Sequence, residues 1–193
     1  MQSHERPDRY EVRLAGTGGQ GMILAGMILS DAAALYDGRN AVQTQNYGPE
    51  ARGGASKSEV IIADGPIYYP KVTHADLLLC MSQEACDRYA YDLKRDGLLI
   101  VDAGNVERVP ARRAVSVPIT RIAVEKTGRE ITAAMVALGI IAGLSGIVSP
   151  AALEKAIAGK VPKGTEKLNL TAMQAGLEEA RRIREQMGGR DKD

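Results

Sequence analysis

Four glycines fall within six residues at Gly16-Thr17-Gly18-Gly19-Gln20-Gly21, between a short apolar run at 10–14 and a longer one at 22–36. Glycine loses more backbone entropy on folding than any other residue, so such a cluster needs a conformational reason. A strand that turns tightly into a helix supplies one. The amides of such a turn can approach a ligand or partner closely, often an anion, with the positive end of the helix dipole behind them. An α/β architecture with this turn at the carboxyl end of a strand is the expectation.

The rest of the chain repeats that alternation. Residues 20–36 read as a helix, with Ile23, Met27, Ile28 and Leu35 near helical spacing and Asp37-Gly38 ending it. A second strand is expected at 41–44, a loop at 45–55, and a β-branched strand at 56–63. Asp64-Gly65-Pro66 reads as a turn, with a short strand at 67–69. The run 76–81 reads as a buried parallel strand, followed by Ser82 as N-cap of a helix over 83–94. Asp96-Gly97 turns into a strand at 98–102, with another at 114–117. Helices are expected at 120–126, 131–144 and 151–158, the last opened by Ser149-Pro150. A final helix starts at 165 or 169 and ends at 187. The sum is one three-layer α/β/α, Rossmann-like domain over 1–187, with a mainly parallel sheet, helices on both faces and a frayed tail at 188–193.

Several function classes are disfavoured by what is scarce. Net charge is +1, and seven tyrosines are the whole aromatic inventory, so neither a basic footprint nor a stacking platform for nucleic acid is evident. Residues 131–148 carry no charge, but a spanning helix needs about 20 apolar residues, and Gly139, Gly143 and Gly146 dilute the run. A buried core helix is expected there, without membrane insertion. The start of the chain is polar, which points to the cytoplasm. Two cysteines and two histidines supply neither a disulfide framework nor the four thiolates of an ordinary iron–sulfur cluster, and no metal site is expected. Cys80 and Cys86 read as buried, inert thiols.

The glycine run matches the dinucleotide spacing at Gly16, Gly18 and Gly21. That fingerprint also wants an acid about 20 residues on to hold a ribose hydroxyl. Residues 41–46 read Ala-Val-Gln-Thr-Gln-Asn, and Asp37 precedes the strand. A Walker loop wants Gly-Lys-Ser/Thr, whereas Met22 and Ile23 follow Gly21. The alternative without a ligand is that the glycines only let the helix pack tightly on the sheet. A second loop, Gln43-Thr44-Gln45-Asn46-Tyr47-Gly48-Pro49-Glu50-Ala51-Arg52-Gly53-Gly54-Ala55-Ser56, follows the second strand and is expected to share a crevice with the first. Arg52 offers a planar fork suited to carboxylate or phosphate. A solvated loop with Glu50 and Arg52 paired to neighbours is the plainer reading. Asp102-Ala103-Gly104-Asn105 reads as a turn, and Arg181, Arg182 and Arg184 as part of a solvated helix face. No residue is expected to be catalytic.

Together, Gly-Thr-Gly-Gly-Gln-Gly and Gln-Thr-Gln-Asn-Tyr-Gly-Pro-Glu-Ala-Arg-Gly-Gly resemble the gamma subunit of 2-oxoacid:ferredoxin oxidoreductases, most closely the 2-oxoglutarate branch. The resemblance implies a complex converting a 2-oxoacid, coenzyme A and oxidised ferredoxin to acyl-CoA, carbon dioxide and reduced ferredoxin. It implies alpha, beta and delta partner subunits that carry thiamine diphosphate, Mg2+ and iron–sulfur clusters, and a gamma chain inactive alone that packs by the active site and helps bind coenzyme A. Carried over residue by residue, Gly16, Gly18, Gly19, Gln20 and Gly21 form a phosphate-facing or partner-facing nest. Tyr47, Gly48, Pro49, Glu50, Arg52, Gly53 and Gly54 form the active-site-facing loop. The rivals are a subunit of a pyruvate, branched-chain 2-oxoacid or indolepyruvate oxidoreductase, and a free-standing nucleotide-binding protein. Whether the isolated chain forms a homodimer is left open.

Overall fold

The computed structural model describes residues 8–47, 55–110 and 114–190. Six strands form one sheet: β1 Arg9–Thr17, β2 Asn40–Tyr47, β3 Ala55–Ala63, β4 Ala75–Cys80, β5 Leu93–Asp102 and β6 Ala114–Val117. Their order across the sheet is β2-β3-β1-β4-β5-β6. β1, β4, β5 and β6 are mutually parallel, and β3 runs antiparallel to both β1 and β2. The sheet is therefore mainly parallel, as expected, with one reversed strand, β3, between β1 and β2. The two Gly-rich segments still leave the sheet at one end. Thr17 pairs with Ala55 and Tyr47 with Ser56, so the end of β1, the end of β2 and the start of β3 lie side by side.

The helices are α1 Met22–Asp31, α2 Gln83–Tyr89, α3 Ile119–Thr127, α4 Ala133–Ser145, α5 Pro150–Lys160 and α6 Glu166–Arg190. Strand alternation sorts the core into two layers. Val12, Leu14, Val60, Ile62, Leu77, Leu79 and Ile100 pack with apolar residues of α1, α3, α4, α5 and α6. Ala15, Ile61, Leu78, Cys80, Leu99 and Val101 pack with Ala85, Cys86 and Tyr89 of α2. Helices cover both faces, unequally. On the α2 side the buried Arg13 guanidinium is satisfied by Glu59 at 2.8 Å, Asp92 at 2.7 Å and the Val72 carbonyl at 3.2 Å. A buried charge requires such pairing.

The uncharged stretch at 131–148 supplies the central helix. Residues 133–142 of α4 are all buried. Gly139 and Gly143 let α4 touch α6, where a Cβ on Gly139 would strike the Met173 carbonyl and one on Gly143 the Ala180 side chain. No single helix among the described residues is long and apolar enough to cross a membrane.

Some expected boundaries move. α1 begins at Met22, with Gly21 as N-cap at φ 77°, and ends in a π-helical turn over Ala32–Tyr36. The helix expected over 83–94 stops at Tyr89; a 3-10 turn, Ala90–Asp92, leads straight into β5. Lys94, Arg95 and Asp96 are thus exposed strand residues, admitted by a register shift between Ala75 and Leu77. β1 and β2 run three residues past their expected ends, taking in Gly16 and Tyr47. No strand forms at 67–69, and α6 continues to Arg190, so 188–190 are helical.

Candidate functional site

The glycine turn divides its labour. Gly16 ends up inside β1, buried, because the Gln20 side chain folds back over it. Gln20 Oε1 accepts from the Thr17 amide at 2.8 Å, and its Nε2 donates to the Met81 carbonyl at 3.0 Å. The Met81 amide in turn donates to the Ala15 carbonyl at 2.9 Å. One side-chain amide thus ties the end of β1 to the end of β4 and sets the shape of the turn. Gly19 and Gly21 have φ of 93° and 77°, a region costly for any other residue. Gly18 and Gly19 are exposed, and a Cβ on either would meet nothing within 4 Å. No side chain caps α1, and its first turn holds no acid. The dipole end of α1 is left uncompensated from within its own helix.

Beside this turn lies a crevice of about 410 Å³. Thr17, Gly18, Gly19 and Gln20 form one wall, Met81 the base, and Thr120, Glu130, Ile131 and Ala133 complete the lining. It sits between the carboxyl ends of β1 and β4, where the chain order reverses: β1 leads through α1 to the β2–β3 side, and β4 lies on the other. Open α/β sheets place ligands at such a reversal. The second wall comes from residues a hundred positions on, which the motifs did not indicate. The signal available was Glu130-Ile131, an acid and a large aliphatic residue at the mouth of the apolar helix.

Asp102 supports that wall. It is fully buried at the end of β5, accepting from Asn105 Nδ2 at 2.7 Å, from the Gly104 and Thr120 amides, and from the Thr120 hydroxyl. The expected turn is present, with Asp102 joining it to the first turn of α3.

Of the second loop, Tyr47 closes β2 through its main-chain pairing with Ser56. Gly48, Pro49, Glu50, Arg52, Gly53 and Gly54 lie outside the described residues. β2 carries no carboxylate to hold a ribose, which leaves the dinucleotide reading without its acid.

Cys80 and Cys86 are free and buried. A hydrogen bond between them, then burial, pushes the Cys80 thiol well above its ordinary range, while the same bond holds Cys86 below it. No group of three His, Cys, Asp or Glu among the described residues could hold a metal ion. A larger cavity, about 560 Å³, opens among Lys126 of α3, Glu154 of α5 and Lys167, Thr171, Gln174 and Glu178 of α6. It shares no residue with the crevice, carries charges of both signs, and lies within the helical layer.

With this geometry in place, the likeness to known proteins is specific. The family model described as pyruvate ferredoxin/flavodoxin oxidoreductase matches residues 11–179. The 2-oxoglutarate synthase subunit KorC of Methanocaldococcus jannaschii is 52% identical over 179 residues, which is 91% of this chain and 96% of that one. The gamma subunit of a keto/oxoacid ferredoxin oxidoreductase from Geobacter sulfurreducens PCA superposes with a TM-score of 0.83 at 49% identity, covering 90% of this chain and 97% of that one. A 2-oxoglutarate:ferredoxin oxidoreductase from Magnetococcus marinus, solved with 2-oxoglutarate, coenzyme A and succinyl-CoA bound, gives a TM-score of 0.81 at 21% identity. That match covers 91% of this chain and 32% of the longer one, and it speaks for the fold alone. This chain belongs to the pyruvate ferredoxin/flavodoxin oxidoreductase family, as a gamma-type subunit of a multi-subunit oxidoreductase.

Proposed function

We propose that the chain is the gamma subunit of a 2-oxoglutarate:ferredoxin oxidoreductase, which oxidatively decarboxylates 2-oxoglutarate with coenzyme A to succinyl-CoA and carbon dioxide and passes the electrons to ferredoxin. The observation that carries this reading is the 52% identity to a 2-oxoglutarate synthase subunit over nearly the full length of both chains. The donor set agrees with a supporting role. Two buried thiols and no three-residue metal group among the described residues do not fit an iron–sulfur cluster on this chain. Thiamine diphosphate, Mg2+ and the clusters belong to the alpha, beta and delta partners in this account, and the decarboxylation chemistry is the cofactor's.

What this chain contributes is position. The carboxyl edge of the sheet is the edge turned toward the partners. β2 ends and β3 begins at that edge, and Arg52, which lies between them in the sequence, is the candidate for a coenzyme A phosphate, since a guanidinium grips phosphate through paired donors. The glycine turn and its crevice belong to the same subunit boundary. Affinity capture of the full chain from its own cells, with the partners identified and assayed for bound thiamine diphosphate, tests the assignment. Recovery with a thiamine-binding pair is expected; recovery of the chain alone, or isolated chain that reduces a dye with 2-oxoglutarate, would refute it.

A further inference from the structure

One lateral side of the sheet is open. β2 is the outermost strand there, and it pairs with β3 residue for residue from Asn40 to Tyr47 without a register shift. Among the described residues, no main-chain group of β2 bonds to anything but β3. Proteins blunt such edges by keeping them short, by breaking their register with a bulge, or by placing lysine or proline on them. The strand at the other side of the sheet, β6, has only four residues. β2 has eight, reads Asn-Ala-Val-Gln-Thr-Gln-Asn-Tyr, and uses none of these devices.

The charge of this edge selects its occupant. β2 carries no charged residue, and ionic groups beside it are neutralised within the chain: Arg39 meets Asp64 at 2.7 Å, and Lys57 meets Glu59 at 2.9 Å. A segment of either net charge gains little from such an edge. A second copy of the same strand meets no like charge on it. A two-fold axis normal to the sheet pairs β2 antiparallel with itself, so the contact is self-complementary. Gln43 lies on the α1 face, where a Cβ on Gly26 would meet it, so Val42 and Thr44 share the other face. Both are half-buried. With Gln43 opposite its own copy, Val42 of each chain stands across from Thr44 of the other, a β-branched pair formed twice.

We propose that the occupant of this edge is a second copy of the chain: two copies join β2 to β2, antiparallel about a two-fold axis at Gln43, into one continuous sheet. Main-chain hydrogen bonds supply the attraction, and the Val42–Thr44 pairs set the register. The pairing uses main chain to which the gamma-subunit reading gives no role, and it stands independently of that reading.

Sedimentation equilibrium and hydrogen exchange of the full-length chain over a dilution series provide the test. A reversible dimer is expected, with amides in the 40–47 strand losing protection on dilution. Thr44→Lys and Thr44→Glu each set two like charges diagonally across the two-fold axis, within reach of long side chains, and alter both Val42–Thr44 pairs at once. Either variant alone should therefore dimerise at least about fivefold more weakly than the wild type. Mixed in equal amounts, the two should pair with each other more tightly than either pairs with itself, because the facing charges are then opposite. Thermal melts show whether the variants fold, and the exchange data on the wild type stand without them. Four results would overturn the proposal: a chain monomeric up to about 0.1 mM, a dimer whose 40–47 amides exchange independently of concentration, folded variants that dimerise like the wild type, or a mixture no tighter than its components. None of these bears on the gamma-subunit assignment, which the capture of partner subunits tests separately.

Discussion

The Gln20 side chain occupies the place where a Cβ on Gly16 would stand. That single exclusion explains why the last position but one of the strand is glycine and why a glutamine follows four residues later. It makes the two positions one structural unit, with Gln20 bonded to Thr17 and Met81 on either side.

Gly16→Ala should therefore cost about 1–3 kcal/mol, the usual penalty for overpacking a fitted site. In a Gln20→Ala background the same change should cost clearly less, because the clashing amide is gone. Gly18→Ala meets nothing and has no positive φ, so its effect should stay within about 0.5 kcal/mol. Urea denaturation of the four variants measures the coupling directly.

The contact between α4 and α6 is less forgiving. A methyl at Gly139 would strike the Met173 carbonyl, and one at Gly176 the Val136 carbonyl. Backbone cannot step aside as a side chain does, so either change to alanine should cost at least about 2 kcal/mol. Gly188→Ala, exposed on α6 with open space around it, should be neutral or gain up to about 1 kcal/mol from helix propensity. Thermal melts of the three variants check the ranking.

Asp102→Asn keeps the shape of the side chain but removes its charge and turns an acceptor into a donor. Asp102 is buried and bonded to Asn105, Gly104 and Thr120, so a loss of about 1–3 kcal/mol is expected. Thr120 also lines the crevice, so the same variant should bind the partner subunits more weakly than its stability loss alone explains. A stability curve and a binding isotherm on one sample separate the two effects.

Tyr10 gives a pH signature. Burial, and secondarily the Asp76 charge, push its phenol up to about 12. A group whose folded pKa is raised stabilises the fold fully below its unfolded value, near 10, and loses that contribution as pH rises toward 12. At two pKa units the full swing is no more than about 3 kcal/mol. The decline in stability across this window should be shallower in Tyr10→Phe. Urea midpoints at stepped alkaline pH, beside tyrosinate absorbance, measure it.

Local signals carried much of the fold. The strand–glycine–helix start, the Ser82 and Ser149 caps and the buried α4 all follow from residues within a turn or two of each other. What escaped depends on distant partners. β3 runs antiparallel to both β1 and β2, and nothing in its own alternation distinguishes a parallel from an antiparallel neighbour. Lys94, Arg95 and Asp96 looked like a helix end because their strand character comes from pairing beside β4. At the site, the motif located the glycine wall of the crevice, but Thr120, Glu130 and Ile131 arrive through tertiary folding. Gln20, read as part of a nest, has its side-chain amide bonded to the Thr17 amide and, across to the end of β4, to the Met81 carbonyl.

The central claim is that this chain completes an enzyme whose chemistry resides in other subunits. Purified partner subunits, assayed for 2-oxoglutarate- and coenzyme A-dependent reduction of ferredoxin with and without this chain, test it most directly. The account expects no turnover by the chain alone, and turnover by the partners that rises on adding it and prefers 2-oxoglutarate to pyruvate. Full turnover by the partners without it, turnover by the isolated chain, or a preference for another 2-oxoacid would contradict the account.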